Sequence, residues 1–256
     1  MVIDVHAHLS HRTLEQDKQT LLRAAEAYRI DRIYIAGLNG YTPTPEEAEQ
    51  INQEVYAFVR EHPERFGAYT YVSPEHPGAA ETVRRGVEDF GAIGVKLWVS
   101  RLCDDPCVNP VVERAIEYGI PVLIHCWHKV HHQFPQESVG SHVANLARRY
   151  PEAKLIMAHL GGNCYHGLPA IRDFANVRCD FSGSIFRGGE LEYAVHTLGA
   201  DRVLFGSDLP NFYLDCYGQV LEADLPQEDK EKILWRNASS LFESPAANAG
   251  RQAVIA

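Results

Sequence analysis

His6 and His8 stand one residue apart in Ile3-Asp4-Val5-His6-Ala7-His8. On a strand, side chains alternate, so both imidazoles face one side, about 6 to 7 Å apart at roughly 3.3 Å of rise per residue. Two such rings can converge on one cation, although the pair alone is equally consistent with two unrelated surface histidines. Three more residues share their chemistry. His125 closes the apolar run Pro121-Val122-Leu123-Ile124. His159 follows Leu155-Ile156-Met157-Ala158 and precedes Gly161-Gly162. Asp208 follows Leu204-Phe205-Gly206-Ser207. Each has an ordinary alternative: a histidine satisfied within a core or, for Asp208, a helix N-cap ahead of Pro210. As a set, neutral imidazoles and a carboxylate are ligands suited to Zn²⁺, Mn²⁺ or Fe²⁺.

The elements that must position these residues follow from the pattern of the chain. Short β-branched runs predict strands at Val2–His6, Arg32–Ala36, Phe66–Val72, Ile93–Leu97, Pro121–His125, Lys154–Ala158, Val177–Asp180 and Arg202–Phe205. Longer amphipathic stretches between them predict helices, among them Thr13–Arg29, Pro45–Glu61, Ala79–Phe90, Val108–Tyr118, Ser138–Tyr150, Pro169–Phe174 and Gly189–Leu198. A final helical pair is expected near Tyr213–Glu222 and Gln227–Leu241. Strict alternation of strand and helix implies a parallel sheet. With 256 residues, eight such units predict one α/β domain over 1–242, a single, slightly distorted (β/α)8 barrel of about 250 residues. The Ala- and Asn-rich segment 243–256 reads as an unstructured tail. Barrel chemistry sits where strands end, and all five candidate ligands fall at the ends of predicted strands 1, 5, 6 and 8.

Bulk properties narrow the function classes. The formal charge is −10, which repels phosphate backbones and argues against a nucleic-acid partner. No run approaches the roughly 18 to 20 apolar residues needed to span a bilayer, so no membrane partner is expected. The opening residues carry no basic, cleavable leader, and the six cysteines form no Cys-x-x-Cys pair. Free thiols in a reducing cytoplasm are the simplest expectation. The expected partner is a small-molecule substrate, with self-association into a homo-oligomer left open.

Other polar and aromatic residues are candidates for substrate binding. Arg187, after strand 7, could pair a substrate carboxylate. Trp127 and His128 open an aromatic and basic segment after strand 5 that suits a lid or a pocket wall. Tyr165 follows strand 6 and could line the same space. His128, His131 and His132 are not read as a second metal site, because an irregular loop does not hold them in register.

The sequence resembles the amidohydrolase superfamily, in its branch of small metal-dependent barrels. The motifs that carry the resemblance are Ile3-Asp4-Val5-His6-Ala7-His8, Gly94-Val95-Lys96-Leu97, Pro121-Val122-Leu123-Ile124-His125, Ala158-His159-Leu160-Gly161-Gly162, Leu204-Phe205-Gly206-Ser207-Asp208-Leu209-Pro210 and the closing Lys232-Ile233-Leu234-Trp235-Arg236-Asn237-Ala238. The resemblance implies a metal, expected to be Zn²⁺, held by His6, His8 and Asp208 and completed by His125 and His159. It also implies Asp208 as the group that moves the proton, assisted by His159. A bound metal would lower the pKa of its water to roughly 7. Lys96 stands where some members carry a carboxylated lysine bridging two ions, and where others keep one ion and a free ammonium. The resemblance implies hydrolysis of an amide, lactone or ester of a small molecule. Its alternative is non-oxidative decarboxylation of an aromatic or unsaturated acid. A nuclease of the TatD type fits less well, given the charge and a lysine where those enzymes carry glutamate. A metal scaffold without catalysis fits least, since Asp208 is intact.

Overall fold

The computed structural model describes residues 1–183, 187–211 and 215–242. Eight parallel strands form one sheet in sequence order: β1 (Ile3–Ser10), β2 (Arg32–Leu38), β3 (Phe66–Val72), β4 (Gly94–Leu97), β5 (Val122–Ile124), β6 (Leu155–Met157), β7 (Val177–Asp180) and β8 (Val203–Leu204). Helices α1 (Leu14–Ala27), α2 (Pro45–Glu61), α3 (Ala79–Phe90), α4 (Asn109–Tyr118), α5 (Gly140–Arg149), α6 (Cys164–Ile171), α7 (Glu190–Leu198) and α8 (Asp215–Glu222) lie between and after them. The chain continues through α9 (Gln227–Glu231), a π-helical turn at Lys232–Arg236 and α10 (Asn237–Phe242). The architecture is the expected (β/α)8 barrel. Its seam is closed by residues just beyond β8, with Val5 N–H donating to Phe205 O (3.0 Å), Asp208 N–H to His6 O (2.7 Å) and His8 N–H to Leu209 O (2.6 Å). The expected tail 243–256 and the start of the helix expected from Tyr213 lie outside the described residues.

Alternation on the strands sorts side chains into two cores. Val95 and Leu97, Val122 and Ile124, and Val177 and Cys179 belong to the layer between sheet and helices. Lys96, Leu123 and Asp180, on the opposite parity, face the barrel interior. The N-terminal end of that interior is plugged from α10. Ala238, Leu241 and Phe242 pack there against Ile3, Val5 and Tyr34, with the Phe242 and Tyr34 rings 4.5 Å apart. No helix among the described residues is long and apolar enough to cross a membrane.

β1 departs from its expected form in two ways. It runs on to Ser10, so His6 and His8 lie within the strand and not at its end. The register against β2 also slips: Asp4 pairs Ile33 but Ala7 pairs Ile35. The extra residue is a bulge, which re-aims a side chain. Ile3 and Val5 belong to the interior cluster while Ala7 and Leu9 belong to the outer one. Unbroken alternation would therefore turn His6 and His8 away from the interior that holds Ile3 and Val5. The bulge places all four inside.

α6 was expected at Pro169–Phe174, but it begins at Cys164, capped by the Asn163 side chain accepting from Tyr165 N–H (3.2 Å). Proline prefers a first turn, yet Pro169 sits inside this helix. The helix starts early because it must cover the turn after β6. An added Cβ on Gly167 would lie 2.3 Å from Leu160 O and 2.9 Å from the Gly161 Cα. We therefore expect Gly167→Ala to push α6 off the turn that follows His159 and to cost about 1–3 kcal/mol. Gly218→Ala meets nothing within 4 Å on the exposed side of α8 and should instead gain up to about 1 kcal/mol. Urea unfolding of both variants measures the contrast, and equal stabilities would contradict this packing.

Candidate metal centre and its pocket

His6, His8 and Asp208 meet across the seam. His6 Nε2 and His8 Nε2 lie 3.0 Å apart. Asp208 Oδ1 lies 3.0 Å from His8 Nε2 and 3.9 Å from His6 Nε2. The outer nitrogens of both rings face fixed acceptors: His6 Nδ1–H donates to Asp180 Oδ2 (3.0 Å) and His8 Nδ1–H to the Ala36 carbonyl (3.2 Å). Those partners place each proton on Nδ1 and leave each Nε2 as a lone pair. Two imidazole lone pairs and a carboxylate oxygen thus converge on one point, a donor set that suits a divalent cation.

The same pattern recurs beside it. His159 Nδ1–H donates to Ser182 O (3.0 Å), and His125 Nε2–H to Glu137 Oε1 (3.0 Å). Their remaining nitrogens, His159 Nε2 and His125 Nδ1, face each other at 3.3 Å. The His6 and His159 ring centroids are 5.0 Å apart, so the two groups adjoin. Two triads bring their ligand atoms within 4.8 Å of one another: His6, His8 and Asp208, and His6, His159 and Asp180. His125 and Lys96 border these sets without joining them. The donor chemistry fits a divalent cation.

Burial tunes these groups toward the ligand-competent state. It pushes the His6 imidazole down to about 3, Lys96 adding to the effect while Asp180 and Asp208 oppose it. Burial lowers His8 as well and takes His125 to about 4. Burial works to raise Asp208, but the His8 bond and the nearby imidazoles outweigh it and hold the carboxyl well below the usual range. Asp180 is likewise held low, chiefly by His6. Lys96 is wholly enclosed, and burial pushes its ammonium down to about 8. Its Nζ donates to His6 Nε2 at 2.9 Å.

Backbone geometry supports the arrangement. His159 and Asp208 both adopt left-handed conformations, at φ 60° and φ 62°, a strained state that tends to persist at functional sites. His159 is held there by its own N–H donating to Asp180 Oδ1 (3.0 Å). Gly183, at φ 107°, passes so close that an added Cβ would lie 2.9 Å from His159 Nδ1. Within β1, Asp4 accepts from the N–H groups of His6 and Ser207, each at 3.0 Å, and clamps the seam. Burial raises its carboxyl to about 7.

A pocket of about 440 Å³ opens over the cluster, with His8, His125, His159 and Asp208 in its floor. Tyr41 and Trp98 form one wall, 5.0 Å between centroids, and Phe134 packs on Tyr41 at 5.3 Å. Trp127 lies parallel to His125 at 6.4 Å and edge-on to His159 at 5.1 Å, so it braces the floor. His128 stacks on His166 at 4.5 Å. None of the four expected substrate-binding residues, Arg187, Trp127, His128 and Tyr165, is in the lining of this pocket. The Arg187 side chain is 51% exposed and turns to Glu190 (3.4 Å) at the start of α7. Tyr165 is 62% exposed and packs on Tyr193. Neither lines the pocket, because local partners hold both on the outer surface. Asp180, Ser182, Glu137, Tyr41 and Trp98 were not singled out in the sequence. Asp180 could have been, since it ends a strand in Val177-Arg178-Cys179-Asp180. Glu137 lies in a loop with no local signal.

A buried histidine and aspartate cluster at the C-terminal mouth of a (β/α)8 barrel defines a class of metal-dependent enzymes. The chain matches the amidohydrolase family over residues 3–243 and belongs to it. A 122-residue stretch is 29% identical to gamma-resorcylate decarboxylase from Polaromonas sp. (strain JS666 / ATCC BAA-500), spanning 39% of this chain and 37% of that relative. Among solved structures, 2,6-dihydroxybenzoate decarboxylase from Rhizobium superposes with a TM-score of 0.75 at 18% identity, covering 94% of this chain and 98% of that one. The dihydroxybenzoic acid decarboxylase from Polaromonas sp. JS666, with bound manganese and the inhibitor 2-nitroresorcinol, gives 0.75 at 19%, covering 94% and 96%. At these identities the superpositions establish a shared fold.

Two outcomes follow from the geometry. His6→Ala and His8→Ala should each lose bound metal while far-UV circular dichroism stays native, since barrel stability resides in the packed layers. Asp180→Asn, which loosens the His6 tautomer, should weaken metal affinity by roughly 10–100-fold. Elemental analysis and metal titration measure both, and full occupancy in the His6→Ala protein would contradict the assignment. The second outcome concerns the metal-free protein. The folded pKa values of His6, His8 and His125 lie below their unfolded ones. As pH falls from about 6.5, the unfolded chain takes up protons that the folded chain refuses, and stability falls. Asp4, raised to about 7, is protonated in the folded state and opposes them by one proton. The net uptake of about two protons corresponds to a loss on the order of 2–3 kcal/mol per pH unit between about pH 6 and 4. Urea midpoints of chelator-treated protein across that range measure it, and a flat profile would contradict it.

Proposed function

We propose that the protein is a metal-dependent, non-oxidative decarboxylase of an aromatic or unsaturated carboxylic acid. The observation that carries this reading is the pocket itself, where a cage of lone pairs ready for a cation lies beneath flat aromatic walls at Tyr41 and Trp98. The relative and the two solved structures described above are decarboxylases. This supports the carboxy-lyase over the hydrolysis that the family resemblance first suggested.

The metal would be held by His6, His8 and Asp208, with His159 beside them. When bound it would supply a positive charge that orients the substrate carboxylate and stabilises the electron pair left behind. Manganese is favoured over zinc, in line with the manganese-bound relative. Lys96 is read as a free ammonium beside a single ion; its Nζ, 2.9 Å from His6 Nε2, would cede that lone pair to the metal. In the reaction the bond between ring carbon and carboxylate breaks, CO₂ leaves, and the ring carbon keeps the electron pair and gains a proton. Asp208, held ionised at the pocket floor, takes a proton from a donor on the substrate or from solvent and hands it to that carbon. His159 steadies the substrate from the other side, and the aromatic walls exclude water. The partner is a small molecule.

Manganese-loaded protein incubated with carboxyl-labelled aromatic acids should release labelled CO₂, while esters and lactones should stay intact. Asp208→Asn should retain most of its metal and lose roughly 10²- to 10⁴-fold in kcat. Ester or lactone turnover without CO₂ release would return the protein to the hydrolases.

A further inference from the structure

The pocket contains a carboxylate that neither the metal cage nor the proposed reaction uses. Asp17, in the first turn of α1, is only 5% exposed, yet it lines the pocket. Both hydrogen bonds it accepts fall on one oxygen: Ser10 N–H and Thr13 Oγ1–H donate to Oδ2, each at 2.9 Å. Oδ1 has no partner among the described residues. Those Oδ2 bonds account for Asp17 as a fixture of the β1–α1 turn. They leave Oδ1 free, and because that oxygen is not fully enclosed it is open to water or to a ligand in the pocket that Asp17 lines.

The position of Asp17 relative to the cage follows from β1. His8 sits in the floor, and Ser10, whose N–H fixes Asp17, stands two residues further out, about 7 Å along the strand. A ring acid whose carboxylate lies at the floor beside His8 and Asp208 has its far edge at that level. No lysine or arginine lines the pocket among the described residues, so the far edge meets an acceptor and not a cation.

Building on the decarboxylase reading, we propose that Asp17 Oδ1 selects substrates with a hydrogen-bond donor, a phenolic hydroxyl, on the ring edge remote from the reacting carboxylate. A methyl ether there has no proton to give and would leave the Asp17 charge buried and unpaired. A second carboxylate there would be repelled.

The test compares a ring acid carrying a hydroxyl opposite its carboxylate with the matching methyl ether, using manganese-loaded protein. Wild type should favour the hydroxyl compound by about 10–100-fold in kcat/KM, the range of a hydrogen bond to a charged group. Asp17→Asn can turn its amide N–H into the pocket, so the preference should fall below about threefold or reverse. Thr13→Val removes one Oδ2 bond and leaves Oδ1 alone, and it should keep the wild-type preference. If Asp17→Asn keeps that preference, or Thr13→Val loses it equally, Asp17 serves the turn alone and the proposal is overturned. If neither acid is decarboxylated, the reaction assigned above fails separately. Dissociation constants for the same two compounds then decide the role of Asp17: a wild-type preference lost only in Asp17→Asn supports it, and equal affinities overturn it.

Discussion

The peptide groups of His6, His8 and Asp208 hydrogen-bond across the seam where β1 meets the segment after β8. These bonds close the barrel, and they belong to the residues whose side chains converge on the candidate metal position. Asp4 reinforces the seam by accepting from the backbone of both edges, at His6 and Ser207. Closure of the fold and assembly of the site are therefore one event. A register error of a single residue along β1 would undo both, because it would exchange the inner and outer faces.

Burying so many acceptors together would be unfavourable without a compensating positive charge. The chain supplies one itself in Lys96, which reaches His6 from β4. It prepares for a second by fixing the imidazole tautomers through Asp180, Ala36, Ser182 and Glu137. Such outer partners orient ligands and raise their basicity. The left-handed backbones at His159 and Asp208 belong to the same economy, since each strained residue is pinned by a hydrogen bond from its own N–H.

The two ends of the barrel are built for different tasks. The N-terminal end is closed by apolar packing from α10, which gives a rigid base. The C-terminal end gathers its pocket from separate loops: Tyr41 follows β2, Trp98 follows β4, and Glu137 lies between β5 and α5. Loop variation on a fixed base lets members of one family act on different substrates. The family alone therefore leaves the choice between hydrolysis and decarboxylation to the pocket.

Periodicity and punctuation along the chain determine the order of strands and helices, and they were legible because they are local. The bounds of β3, α2, α3 and β7 match the sequence reading residue for residue. The candidate ligands could also be read, since each ends or extends an apolar run. What the sequence left undecided depends on residues distant along the chain. The tautomer of His6 is set by a partner 174 positions away. The bulge that turns His6 and His8 inward arises where β1 meets its neighbours. Arg187 suits a substrate carboxylate by type, yet Glu190 draws it to the surface. Asp17 reads as an ordinary first-turn acid until α1 is packed against the pocket. Local rules state what a residue can do. Which groups it meets depends on burial and on the closing of the barrel, so the lone pairs at the centre and the free oxygen in the wall are properties of the tertiary structure alone.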